Sequence, residues 1–261
     1  MSSGFRLSIG ADPQGVAKLN EAFAGFADAH AVPAAVRRSI NVALDELLTN
    51  TILYGLAGDL GEVTVDAELH ADRLEVTLSD NGRPFDPFTR SAPDTTLSVE
   101  DRPIGGLGIH LVRRLVDHVR YERRSDRNVV VLTKWLAGGA VAEHLAGGKG
   151  AMDITKRQQG EAWIVAIAGN LDSGTSPRAQ QELEAILASG GRKLAVDFSS
   201  LDYISSAGLR ALLGVAKQLG ARGGALRTFG LNQTVREVFD ISGFSMILPV
   251  FPSEEEALKG F

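Results

Sequence analysis

Residues 44–50 read Leu44-Asp45-Glu46-Leu47-Leu48-Thr49-Asn50, within an apolar pattern of helical period that runs from about Pro33 to Leu53. Leu44, Leu47 and Leu48 mark one helix face, while Glu46 and Asn50, one turn apart, share another turned away from it. A carboxylate and a neutral amide can therefore point into one cavity, where glutamate can take a proton from a hydroxyl or water and asparagine can offer an oxygen to Mg²⁺. The same spacing also suits an ordinary solvated helix face. Other parts of the chain must decide between the two.

Downstream, apolar alternation in Glu62–His70 and in Arg73–Ser79 predicts two adjacent antiparallel strands. The second leads into Asp80-Asn81-Gly82-Arg83-Pro84-Phe85-Asp86-Pro87. A hairpin is a poor reading of these residues, because two prolines interrupt the return strand. A carboxylate at a strand end can instead accept a hydrogen bond from an exocyclic amine such as that of adenine, and Gly82 lets a flat ring approach the backbone. Next comes Pro103-Ile104-Gly105-Gly106-Leu107-Gly108-Ile109, a glycine-rich turn opening a helix over Ile109–Val116. Such a turn offers free N–H groups and positive dipole to phosphate. Strands over Val119–Arg123 and Val129–Trp135 complete a helix-and-sheet sandwich with mainly antiparallel pairing.

These elements, in this order within about 65 residues, resemble the N, G1 and G2 boxes of the GHKL ATPase superfamily. The phrase RPIGGLGIHLVRRLVD, residues 102–117, is similar to that of the anti-sigma-factor serine kinases within it. The resemblance covers nearly all of residues 1–136. It implies an α/β sandwich that binds ATP and Mg²⁺, with Glu46 as catalytic base, Asn50 on the metal, Asp80 on adenine, and Gly82, Gly105, Gly106 and Gly108 along the nucleotide. The segment SAPDTTLSVEDR, residues 91–102, where that family places a lid over the phosphates, contains no lysine. Arg83 and Arg102 are the candidates for charge stabilisation there, and the last turn of the domain, Ser125-Asp126-Arg127-Asn128, is poor in glycine.

Residues 137–151, AGGAVAEHLAGGKGA, read as a linker. Beyond it, strand and helix patterns alternate: Ala162–Ala168, Ser176–Ala188, Lys193–Phe198, Ala207–Leu219, Ala225–Phe229, a helix from near Asn232, the apolar Met246–Val250, and a last helix capped by Ser253 with Glu254–Glu256 in its first turn. A small sheet flanked by helices is expected over residues 152–261, so the whole is an α/β (more closely α+β) chain of two domains, 1–136 and 152–261. In DFSSLDYISSAGL, residues 197–209, Ser206 stands at the expected N-cap of a helix beginning at Ala207. It can serve there as a structural cap or carry a phosphate that the helix start would stabilise. With Gly169-Asn170-Leu171-Asp172-Ser173 and Val235-Arg236-Glu237-Val238-Phe239, this segment resembles the STAS domains of anti-sigma-factor antagonists. The resemblance implies Ser206 as phosphoacceptor, with Ser205 as the alternative, since some members carry aspartate at the position of Ser205. Asp172 either shapes the surface near that serine or simply forms a turn.

The chain has 261 residues, a net charge of −5, 44% hydrophobic and 23% charged residues, and no cysteine. That supplies two ordinary cores, no basic run for nucleic acid, and neither disulfides nor thiolate metal sites. The first 23 residues lack a basic start leading into an apolar core, and no stretch approaches 18 consecutive apolar residues. A cytoplasmic location is expected, with no direct nucleic-acid or membrane partner. Two functions follow. One is a protein-serine kinase acting on a STAS domain in cis or, through a homodimer or another chain, in trans, in a partner switch controlling a sigma factor or another regulator. The other is an ATP-responsive binding module without phosphotransfer, whose STAS domain docks a regulatory partner. A linker of about 15 residues spans roughly 20 Å, so a tethered acceptor would be held at an effective concentration on the order of millimolar. A histidine-kinase reading fails because no helical hairpin with a phosphoacceptor histidine precedes the nucleotide motifs, and a phosphatase reading lacks the clustered aspartates for two metals.

Overall fold

In a strand, side chains two residues apart share a face. Leu74, Val76 and Leu78 therefore form one buried row in the computed structural model of the chain. The structure describes residues 3–10, 12–56, 61–89, 93–94, 97–99, 101, 106–136 and 152–261. The expected linker, Arg102 and Gly105 lie outside the described residues. The described residues fall into two compact units.

In the first unit, strands β1 (Ser3–Gly10), β2 (Glu62–Leu69), β3 (Arg73–Asp80), β4 (His118–Arg124) and β5 (Arg127–Trp135) pair antiparallel in the order β1-β2-β3-β5-β4. One face carries Val63, Val65 and Ala67 of β2, the β3 row, and Val130 and Leu132 of β5, all buried. Helices α1 (Pro13–Ala29), α2 (Ala34–Asn50) and α3 (Leu107–Leu115) share this core through Leu19, Phe23, Ile40, Leu44, Leu48 and Val112. Asp12 caps α1, its Oδ1 accepting from Gly15 N at 2.8 Å. The β4–β5 turn places Ser125 and Asp126 both in the left-handed region, φ 47° and 62°. It is thus a two-residue hairpin built without the glycine such turns favour.

The second unit is a mixed sheet. Strands β6 (Asp153–Gln159), β7 (Ala162–Leu171), β8 (Lys193–Asp197), β10 (Ala225–Phe229) and β11 (Val250–Phe251) lie in the order β11-β10-β8-β7-β6, with β9 (Leu201–Ile204) parallel to the end of β7. Only β6 runs antiparallel to its neighbour. Parallel neighbours need crossovers, supplied by α4 (Ser176–Ala188) between β7 and β8 and α5 (Ser206–Ala221) between β9 and β10. Helices α6 (Gln233–Ile241) and α7 (Glu254–Leu258) follow. Gln180 and Gln218 both donate to Glu184 Oε1 at 2.9 Å, joining α4 to α5 and holding the Glu184 carboxyl below its ordinary range. Phe198, Phe239 and Phe244 meet edge-on in the core.

The expected sandwich and the expected small sheet flanked by helices are both present. Several boundaries differ. Leu201–Ile204, where no strand was expected, is a strand parallel to the end of β7. Met246–Val250 is not a strand. A single 3₁₀ turn, Phe244–Met246, precedes the two-residue β11, because Pro249 and Pro252 have no N–H to donate to a ladder. Ser253 caps α7 as expected, its Oγ accepting from Glu256 N at 3.3 Å.

Helix α5 approaches β7 closely at Gly208. A Cβ there would lie 2.7 Å from both the Leu171 carbonyl oxygen and Ile204 Cγ1. Gly208→Ala is therefore expected to destabilise the second unit by about 1–3 kcal/mol. Scanning calorimetry of the full chain tests this, and an unshifted transition would contradict the packing argument.

Candidate functional site

Asp80 is the last residue of β3 and has the same parity as Leu74, Val76 and Leu78, so the strand turns it inward, where it is 3% exposed. Directly across the ladder stands Asn128 of β5, whose neighbours Val130 and Leu132 share its face. The apolar row thus ends in a buried carboxylate–amide pair. Asn128 Nδ2 donates to Asp80 Oδ1 at 2.8 Å, and Gly82 N donates to the same oxygen at 2.8 Å. Asn128 also bonds the Arg83 carbonyl, Phe85 N, the Tyr121 hydroxyl and Arg123, while Arg123 Nη1 reaches the Gly82 carbonyl at 2.8 Å. Residues 82–85 are therefore held over the end of the sheet rather than forming a hairpin.

Helix α2 closes the other side. At its end the chain makes one π-helical turn, Thr51–Gly55, a distortion frequent at functional sites. It brings the Gly55 carbonyl to Arg83 N at 3.1 Å. A Cβ on Gly82 would sit 2.8 Å from both Gly55 O and Asp80 Oδ1, so this junction admits only glycine without rearrangement. A pocket results, walled by Leu47, Leu78, Phe85, Pro87 and Val130, with Asn50, Thr51, Asp80 and Asn128 as its polar groups.

The structure therefore brings Asn50 and Asp80 to one pocket, with Gly82 packed behind Asp80. Glu46 lies one turn before Asn50 on α2 and is 4% exposed; it does not line the pocket. Gly106 has φ +82° just before α3, and Gly108 is the second residue of that helix; neither lines the pocket. Arg83 is exposed, and Arg113 of α3 donates to the Phe88 carbonyl and lies over the Phe88 ring at 5.6 Å. Sequence reasoning did not single out Asn128. Its parity with Val130 and Leu132 was the available signal, but the strand was expected to start only at Val129. Among the described residues no cluster of three or more His, Cys, Asp or Glu could hold a metal, and no helix is long and apolar enough to cross a membrane.

In the second unit, Ser206 is the first residue of α5, one position later in the helix than expected, and the N-cap is Ser205. The reason is the strand before it. Ser205 is still extended and donates its N–H to the Leu171 carbonyl at 2.9 Å, while its own carbonyl accepts the helix bond from Leu209 N at 3.0 Å. Its Oγ makes no capping bond and is fully buried without a partner. Ser206 is 4% exposed and Ser205 0%. Asp172 forms a turn: its Oδ1 accepts from Gly174 N at 3.0 Å and Thr175 N at 2.9 Å. Its Oδ2 lies 3.4 Å from the Tyr203 hydroxyl. Asn232 caps α6 through Val235 N and donates to the Leu201 carbonyl, tying that helix to β9.

The family description of the histidine kinase-like ATPase domain matches residues 9–134, and that of the STAS domain matches residues 153–257. The chain is similar to a protein named as an anti-sigma factor antagonist, BtrV of Bordetella bronchiseptica, at 45% identity over 98 residues, 38% of this chain and 84% of that protein. It is also similar to the serine-protein kinase RsbW of Listeria monocytogenes, at 32% identity over 144 residues, 53% of this chain and 90% of that protein. Among solved structures, an anti-sigma factor antagonist from Mycobacterium paratuberculosis aligns with 41% of this chain and 92% of its own at 21% identity and a TM-score of 0.39.

The unpartnered Ser205 hydroxyl has a measurable consequence. Replacing a serine that caps a helix costs about 1 kcal/mol, whereas removing a buried hydroxyl with no partner is neutral or stabilising by about 1 kcal/mol. Ser205→Ala is expected to follow the second course in denaturant unfolding. A loss of stability of the capping size would refute it.

Proposed function

The chain joins a domain of the histidine kinase-like ATPase family to a STAS domain, and from that membership we propose that it is an ATP-dependent protein-serine kinase of the anti-sigma-factor type. Its acceptor is the serine of a STAS domain, Ser206 of this chain or the equivalent in another. It works in partner-switching regulation, in which phosphorylation of the STAS domain determines whether a sigma factor or another regulatory protein is held or released. The observation that carries the reading is the pocket in which a buried carboxylate, Asp80, stands between apolar walls beside Asn50.

The residues fit a purine nucleotide. Leu47, Leu78, Phe85, Pro87 and Val130 offer flat apolar walls, Asp80 offers an acceptor to an exocyclic amine, and the Gly55–Gly82 junction leaves no room for a side chain. Asn50 has a neutral oxygen for Mg²⁺, and Mg²⁺ commonly takes only one or two protein ligands beside waters and phosphates. When bound, Mg²⁺ would offset negative charge on the phosphates.

Phosphoryl transfer asks the protein mainly for positioning and a base. In the proposed step Glu46 takes the proton of the serine hydroxyl, the serine oxygen forms a bond to the terminal phosphorus, the bond to the bridging oxygen breaks, and ADP leaves. Ser206 at the start of α5 would then carry its phosphate where helix N–H groups and dipole favour it. The new charge would change what the surrounding surface can bind.

Incubation with γ-labelled ATP and Mg²⁺ tests the proposal. Wild type is expected to label itself or an added STAS protein, Glu46→Ala to lose about 10²-fold or more of the rate, and Ser206→Ala to lose self-labelling while still labelling the added protein. A mixture of the two variants acquires label only if transfer occurs in trans. ATP binding with no label on any serine would refute the kinase reading.

A further inference from the structure

Asn128 belongs to no recognised motif of the chain, yet no other side chain of the pocket makes as many hydrogen bonds. Its Nδ2 donates to Asp80 Oδ1 at 2.8 Å and to the Arg83 carbonyl at 2.9 Å. Its Oδ1 accepts from the Tyr121 hydroxyl at 2.9 Å, Arg123 Nη1 at 3.1 Å and Phe85 N at 3.2 Å. Chemistry dictates which amide atom is which. A guanidinium and a backbone N–H only donate, so they must face the oxygen; a carbonyl only accepts, so it must face the nitrogen. The amide cannot flip without breaking bonds on both sides.

Asp80 therefore always meets a donor at Oδ1, and Gly82 N supplies a second donor to that atom. With Oδ1 occupied twice from within the protein, Oδ2 is the carboxylate oxygen left for a ligand. Asp80 is 3% exposed and lines the pocket, so a base that reaches it must answer a fixed acceptor. An amino group does so. An oxo group in the same place sets oxygen against carboxylate oxygen with no proton between them, leaving both acceptors unpaired.

We propose that Asn128 is a positioning residue for base selection: its locked amide orients the Asp80 carboxylate and thereby sets the preference for an amino-purine over an oxo-purine nucleotide. The proposal rests on the nucleotide reading of the pocket given above. Without Asn128, Gly82 N alone holds Oδ1, and the carboxylate gains freedom to turn about its Cβ–Cγ bond. Discrimination between bases weakens, while contacts to the rest of the nucleotide remain.

Titration calorimetry of the full chain with ATP and with inosine triphosphate, whose base carries an oxo group in place of the amine, tests this. Wild type is expected to prefer ATP on the order of a hundredfold. Asn128→Ala should weaken ATP binding by about tenfold or more while changing inosine triphosphate binding far less, so that the ratio falls. Asn128→Asp conserves volume and still offers an oxygen to Tyr121 and Arg123, which protects the fold, but it faces Asp80 with a second carboxylate oxygen. It should collapse the ratio as well. If wild type prefers ATP and both variants weaken the two nucleotides by one common factor, or neither, Asn128 is only structural and the proposal fails. If wild type binds neither nucleotide, the reading of the pocket fails first.

Discussion

The pairing of β3 with β5 is the constraint on which the first unit depends. With Leu78 opposite Val130 and Val76 opposite Leu132, the inward faces of both strands are apolar, and the next inward pair is Asp80 with Asn128. A slip of one residue would turn every one of these side chains to the other face. It would expose the core row and remove the polar pair from the pocket together. Stability of the sheet and existence of the site therefore have one cause. The buried carboxylate is tolerable there because two donors satisfy one of its oxygens.

Helix α2 depends on the same face. Leu44, Leu47 and Leu48 are buried in the core that Val63, Val76 and Val130 help to form, and burial continues through Asp45 and Glu46. This packing fixes where α2 ends, and hence where Asn50 and the π-helical turn meet the residues after Asp80. The helix does not present Glu46 on a solvated face, as its spacing alone would have allowed. A carboxylate held in a packed helix loses its rotamer freedom on folding rather than at a later step.

In the second unit the equivalent junction is the passage from β9 into α5. Ser205 serves the strand through its N–H and the helix through its carbonyl, and its buried hydroxyl has no partner. Gly208 permits the helix to lie against the end of β7. The serine that follows, Ser206, is placed by these backbone contacts, while the side chain of Ser205 does not cap the helix in the manner serine usually does. Helix starts are hard to locate from sequence for this reason: Ser-Ser-Ala-Gly offers two equivalent caps, and only the hydrogen bond from Ser205 to Leu171 decides between them.

Local chemistry determined much by itself. Glu46 and Asn50 at helical spacing, Asp80 and Gly82 at a strand end, and Ser206 at a helix start all announce themselves within a few residues, because caps, turns and helix faces are short-range properties. The alternation of β3 and the strand–helix alternation after residue 152 were enough for the fold class. Four elements escaped. β6 is polar and exposed apart from Ile154, β9 is only Leu201–Ile204, and β1 and α1 were missed although Gly10-Ala11-Asp12-Pro13 between them carries a turn and an N-cap signal. Only the tertiary structure decided that Asn128 stands against Asp80, since 48 residues separate them and strand register is set by the packing of whole faces. It alone also decided that the π-helical turn at Gly55 meets Gly82, because a contact between two backbones leaves no trace in side-chain pattern except the absence of a side chain.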